Sequence, residues 1–179
     1  TGAIAAAATT SLPEHPGGVR NWDYRYCWLR DAALAAASLV RLGSTSEALH
    51  FLGWMLGVLD RTAAPERLQP LYCLGGEPLG SEAEIGELPG YRGSRPVRVG
   101  NLAAHQVQLD VFGPVVDLVA LLAERDAPLS SEHWRLVEGM VGAVAARWHE
   151  PDHGIWEIRR SPRHHVHSKT MCWLAADRG

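Results

Sequence analysis

Apolar positions recur at helical spacing over most of the chain and lose that rhythm between residues 61 and 100. From Ser46 to Asp60, Leu49, Leu52, Met55, Leu56 and Leu59 form a single stripe, the pattern of a helix with one buried face. Ser44, Thr45 and Ser46 are cap candidates ahead of it, and Glu47 falls in its first turn. An alanine-rich run predicts an earlier helix from Asp31 to Leu42, stopped by Gly43; a joint that short favours an antiparallel pair. Val107, Val111, Val115, Leu118 and Leu122 predict a long helix from Asn101 to Glu124, bent near Gly113-Pro114 because proline has no N–H to donate. Leu136, Val137, Val141, Val144 and Ala145 predict another from Ser131 to Trp148, capped by Ser130-Ser131. A strand-like Gly154–Ile158 follows, and a last helix runs from His167 to Asp177. The pattern is all-α, made of helical hairpins.

Residues 1–20 read as an extended segment and turn, with Pro16-Gly17-Gly18 as the punctuation. The stretch 61–100 is dense in Gly and Pro and too long for an ordinary connection inside a compact domain. Its aromatics and arginines favour an ordered, site-building loop with short β pieces over a flexible linker.

The 179 residues carry a formal charge of −3, enough for one domain or a piece of a larger one and without the basic surplus of a nucleic-acid binder. No apolar run approaches the roughly 20 residues that cross a bilayer. Cys27, Cys73 and Cys172 lie far apart, which reads as reduced thiols of a cytoplasmic protein. The absence of an initiating Met leads us to expect that the sequence begins inside a longer chain.

The densest candidate chemistry lies at Arg20-Asn21-Trp22-Asp23-Tyr24-Arg25-Tyr26-Cys27-Trp28-Leu29-Arg30-Asp31. Aromatic faces beside fixed charges suit a sugar cleft, since pyranose C–H faces stack on rings and hydroxyl rims bond to charged groups. A helix N-terminus, with Asp31 near the positive end of the dipole and Arg30 paired, explains the same residues equally well. In Pro151-Asp152-His153-Gly154-Ile155-Trp156-Glu157, the glutamate is set among Ile155, Trp156 and Ile158, and desolvation there would keep it protonated as a proton donor. Periodicity alone favours a strand-edge glutamate facing water. His164, His165 and His167 raise a metal site, but no carboxylate or thiol stands beside them at ligand spacing, so a hydrogen-bonded helix entrance is the better reading. No Gly-x-Ser-x-Gly elbow and no phosphate-cradling glycine loop are present.

Taken in order, Thr10–Glu14, Arg20–Ala33, Leu88–Asp110, Pro151–Arg159 and Pro162–Trp173 make the chain resemble glycoside hydrolase family 15, the glucoamylase-like enzymes and their bacterial trehalase relatives. The resemblance implies an (α/α)6 toroid, of which residues 1–179 would be an incomplete part of a single catalytic domain. It implies Arg30 and Asp31 on the hydroxyls of the non-reducing-end sugar, and Glu157 as the general acid of an inverting hydrolase. Trp22, Trp28 and Trp156 would surround the sugar, with Tyr26 nearby. Arg95 would bind substrate, and Arg92 and Asn101 would line the cleft. An α-glucan oligosaccharide or trehalose would be the substrate, with glucose released from the non-reducing end, and no cofactor or metal is implied. The general base of the family lies beyond this chain, so the isolated fragment is expected to be inactive, and its open helical edge to make it poorly soluble or oligomeric. The alternative is a non-catalytic carbohydrate-binding protein that keeps the Arg-Asp site. Oligomeric state is not readable from the sequence.

Overall fold

The computed structural model describes residues 1–179. Its five helices are α1 (Leu29–Arg41), α2 (Ser46–Arg61), α3 (Phe112–Ala123), α4 (Ser131–Arg147) and α5 (Val166–Arg178). Two antiparallel ribbons complete it: β1 (Cys27–Trp28) with β2 (Leu71–Tyr72), and β3 (Ala83–Ile85) with β4 (Val97–Val99). The fold is mostly helical, as expected, and no helix is long and apolar enough to cross a membrane.

Helix α3 is the axis of the core. Its sequence is apolar on every side except for Asp117, the composition of a helix buried all round. It packs against α1, α4 and α5. The alanines of α1, Ala32, Ala33, Ala36 and Ala37, are buried and leave no bulk to hold its neighbours away. On α2 the buried face widens beyond the predicted stripe to include Phe51, Trp54 and Val58. On α4, Met140 and Ala143 are buried, Val141 is half-buried and Ala145 is exposed. Trp28, Leu71, Leu79, Ala103 and Ala104 form a second, smaller apolar cluster under the β1–β2 ribbon.

Two expectations are corrected. Residues 101–111 are not the front of a long helix: they form 3-10 turns at Leu102–His105 and Leu109–Val111, joined by extended backbone at Gln106 and Gln108. Helix α3 begins only at Phe112, so Pro114 falls in its first turn, where its missing N–H breaks no helical bond and causes no bend. Residues 154–157 form turns, not a strand; Gly154 and Glu157 both adopt left-handed backbone, at φ 67° and 53°, which no strand contains. The 61–100 stretch is ordered, held by β2, β3 and β4 and by a 3-10 turn at Pro65–Arg67.

Helix α3 meets α5 closely at Gly113, where an added Cβ would stand 2.5 Å from the Met171 carbonyl oxygen. A backbone atom cannot swing aside, so Gly113→Ala is expected to destabilise the fold by about 1–3 kcal/mol in denaturant unfolding. Exposed Gly142, mid-helix in α4 with nothing within 4 Å of the added carbon, makes the opposite control. Gly142→Ala should stabilise by about 0.5–1 kcal/mol.

Candidate active site

The aromatic stretch before α1 is held as an extended arm. Ser11 N–H donates to the Trp22 carbonyl, Ala7 N–H to that of Tyr24 and Ala6 N–H to that of Tyr26. Asp23, fully buried, fastens the arm to β4's far end: it accepts from Arg25 Nε at 2.8 Å and Nη2 at 2.7 Å, from the Tyr26 hydroxyl at 3.0 Å, and from Gly100 N–H at 3.1 Å. Burial raises its carboxyl, but the hydrogen bonds from Arg25 and Tyr26 outweigh that and hold it below its ordinary value.

The arm ends at Trp28, whose indole Nε1–H donates to Glu157 Oε1. The ring is seated in the small apolar cluster and lies 5.6 Å from Tyr24. Glu157 Oε1 also accepts from Gln108 Nε2 at 3.2 Å, and the Glu157 carbonyl accepts from Gln106 Nε2 at 3.0 Å. The loop bearing Glu157 is tied down at its start by Asp152. That buried carboxylate accepts from Leu109 N–H at 3.0 Å and Ser168 Oγ–H at 2.7 Å, and its backbone pairs with Arg163.

Arg30, one residue into α1, is buried. Nη1 donates to Gln108 Oε1 and to Asp110 Oδ2, each at 3.0 Å, and Nη2 lies 3.1 Å from Asp31 Oδ2. Asp110 is wholly enclosed, so desolvation pushes its carboxyl up while Arg30 pulls it down, and the upward push prevails. His167 Nε2 stands 3.4 Å from the same Asp110 oxygen. His164 and His165 instead face a separate groove with Lys169 and Trp173, and no three His, Cys, Asp or Glu side chains converge.

Two cavities meet at Glu157. The smaller, about 210 Å³, is lined by Arg30, Asp31, Trp28, Tyr24, Trp156 and Glu157. The larger, about 550 Å³, runs from Glu157, Tyr24 and Trp156 to Trp22, Arg159 and Asn101. Trp22 carries a guanidinium on its ring from Arg159 at 4.0 Å and from Arg98 at 4.6 Å, and Arg159 is itself held by Glu82 at 2.6 and 2.8 Å. The structure therefore brings Glu157, Arg30, Asp31, Trp22, Trp28 and Trp156 together on these walls. Arg95 lines neither cavity; it is exposed and donates to the Gly86 carbonyl at 2.9 Å, and Arg92 stands over the Tyr91 ring instead. Of the apolar sequence neighbours of Glu157, Trp156 is 83% and Ile158 43% exposed, so neither encloses its carboxyl alone. Burial by the surrounding wall raises it, against the hydrogen bonds from Trp28 and Gln108 and the charge of Arg30.

Gln108, Asp110, Tyr24 and Arg159 were not picked out from the sequence as site residues. A faint signal existed for the first two: Gln106-x-Gln108-x-Asp110 alternates at the period of extended backbone, masked by Val107 and Val111 at helical spacing.

Comparison with known proteins extends the picture. The family described as "Glycosyl hydrolases family 15" matches residues 1–179. A protein named "Trehalase" from Mycolicibacterium smegmatis is 44% identical, with 100% of this chain and 27% of the relative covered. "Trehalase" from Mycobacterium tuberculosis is also 44% identical, covering 100% and 26%. "Trehalase 1" from Sulfolobus acidocaldarius is 43% identical, covering 99% and 32%. The chain thus spans about a third or less of the length of these relatives. No solved structure matches it.

Glu157's raised carboxyl has a stability consequence of definite sign. Its neutral form is favoured by folding, so its contribution is fully present at low pH and is lost as pH rises through the carboxylate range. Glu157→Gln keeps the carbonyl acceptor and removes the charge. The variant is expected to melt above the wild type near about pH 8 and to converge with it near about pH 4, by calorimetry at both values.

Proposed function

The chain belongs to the glycosyl hydrolases of family 15, and from that premise we propose that it forms part of the catalytic domain of an inverting glycosidase acting on trehalose, with Glu157 as its general acid. The supporting observation is the place of Glu157 on a wall shared by two cavities, one ending in Arg30 and Asp31, the other in Trp22, Arg159 and Asn101. A bond to be cleaved has a sugar on each side of its oxygen, and a proton donor must reach that oxygen from between them. In this reading the non-reducing glucosyl ring sits in the smaller cavity, bonded by Asp31 and the edge of Arg30. Tyr24, Trp28 and Trp156 meet its C–H faces, and the leaving sugar occupies the larger cavity against Trp22.

Glu157 gives its proton to the glycosidic oxygen as the C1–O bond breaks, and the leaving sugar departs as a neutral alcohol. A water attacks C1 from the opposite face and passes a proton to a base, inverting the anomeric centre; the two carboxyls of such a pair stand roughly 6.5–9.5 Å apart. That base is supplied by the part of the complete protein outside residues 1–179. The five helices, with α1, α4 and α5 against α3 and with α2 against α1 and α4, are proposed as one sector of an (α/α)6 toroid. Trehalose is favoured over α-1,4-glucans because the relatives are named trehalases.

The test is kinetic, on the complete protein that carries this chain. Wild type is expected to hydrolyse trehalose in preference to maltose. Glu157→Gln should lower kcat by roughly 10²–10⁴-fold while leaving the Kd for trehalose within a few-fold. Retention of most activity in that variant removes the acid assignment. Hydrolysis of maltose without trehalose replaces the substrate, and sugar binding without any wild-type turnover moves the protein to the carbohydrate-binding alternative.

A further inference from the structure

Gln108 stands between the two charged groups of the site, and its orientation is settled by chemistry. The Arg30 guanidinium has donors only, so the Gln108 atom 3.0 Å from Nη1 must be the amide oxygen. The amide nitrogen then faces the other way, 3.2 Å from Gln106 Oε1 and 3.2 Å from Glu157 Oε1. On that same Glu157 oxygen the Trp28 indole, again a group that can only donate, delivers a second N–H. Oε1 therefore meets two donors in a direction where a carboxylic proton would collide with both. Oε2 takes no hydrogen bond from the protein and is not among the enclosed unpaired atoms, so it opens onto the cavities.

We propose that Gln108, its amide locked by Arg30, acts with Trp28 as a positioning residue that confines the transferable proton of Glu157 to Oε2. The inference rests on Glu157 being the general acid. It adds which atom holds the proton and what keeps it there. The carboxyl needs no rotation before or after transfer, since Oε1 accepts from the same two donors in both protonation states. Those donors also strengthen as the carboxylate forms, easing departure of the proton at the moment the leaving oxygen takes it. Gln108 touches no reacting atom; it acts through Glu157.

The expected signature is a displaced pH profile in the complete protein. Gln108→Met keeps the length of the side chain and removes the donor, so the ionised form of Glu157 loses support. The limb of kcat/KM that falls with rising pH should move upward by roughly 0.5–1 pH unit, with kcat on trehalose down roughly 10-fold. The charged and titratable groups facing Glu157 keep their identity in the variant: Arg30 and Asp31 from α1, Tyr24 from the arm, Glu14, Arg20 and Arg159 along the larger cavity, and Asp110 with His167 behind Arg30. Trp28→Phe removes the other donor to the same oxygen and should shift the limb the same way, and it carries the test if Gln108→Met lacks a cooperative melt. A fall in kcat/KM with the limb unmoved in folded variants would show a merely structural role and overturn the proposal. Full activity in Glu157→Gln would instead strike at the general-acid reading on which it rests.

Discussion

A guanidinium taken out of water at the head of a helix has to be surrounded by acceptors, and Arg30 draws them from two stretches of chain. Asp110 and Gln108 come from the turns before α3, and Asp31 from its own helix. Removing Asp110 would leave the buried guanidinium without its buried counter-charge, a penalty of several kcal/mol. This requirement explains why residues 101–111 abandon helical geometry: only extended backbone around Gln108 presents both an amide and a carboxylate to one guanidinium. The same requirement sets Gln108 against Glu157. One side chain thus joins the buried guanidinium to the Glu157 carboxyl.

The electrostatics of the site follow from competition between burial and donors. At Asp23 the donors win, and the carboxylate serves as a charged staple between the aromatic arm and β4. At Glu157 burial wins despite two N–H groups on one oxygen, and the carboxyl is held above its ordinary value. The arrangement of partners is what separates the two: Asp23 receives a bidentate guanidinium, whereas the guanidinium whose charge acts on Glu157, that of Arg30, is already engaged by three acceptors.

Helices α2 and α4 were legible because each carries an apolar stripe that opens at a Ser cap; α1, α2, α4 and α5 fall within one or two residues of expectation. The front of α3 was not, since Val107 and Val111 continue its i, i+4 spacing into a segment whose course is dictated by Arg30, a partner some eighty residues away. In the candidate site, Arg30, Asp31, Trp28 and Glu157 could be named because chemistry-bearing residues were concentrated in short stretches. Glu157's surroundings could not, because the groups bonded to its carboxyl, Trp28 and Gln108, lie far from it in sequence rather than beside it. Arg95 illustrates the opposite error: its residue type and neighbourhood suited the cleft, but its side chain closes on Gly86.

The hydrogen bond from Trp28 to Glu157 joins residues 129 positions apart, and that from Gln108 to Glu157 spans 49. Helical hairpins such as α1 and α2 can form from local contacts early, but pairings of this separation must wait for long loops to close. The cluster of Trp28, Gln108 and Glu157 needs α1, the 101–111 turns and the loop beyond α4 all docked, so it is expected to close late. A chain that stalls partway therefore has most of its helix without the Trp28–Gln108–Glu157 cluster, so helix content alone does not report that these walls have come together.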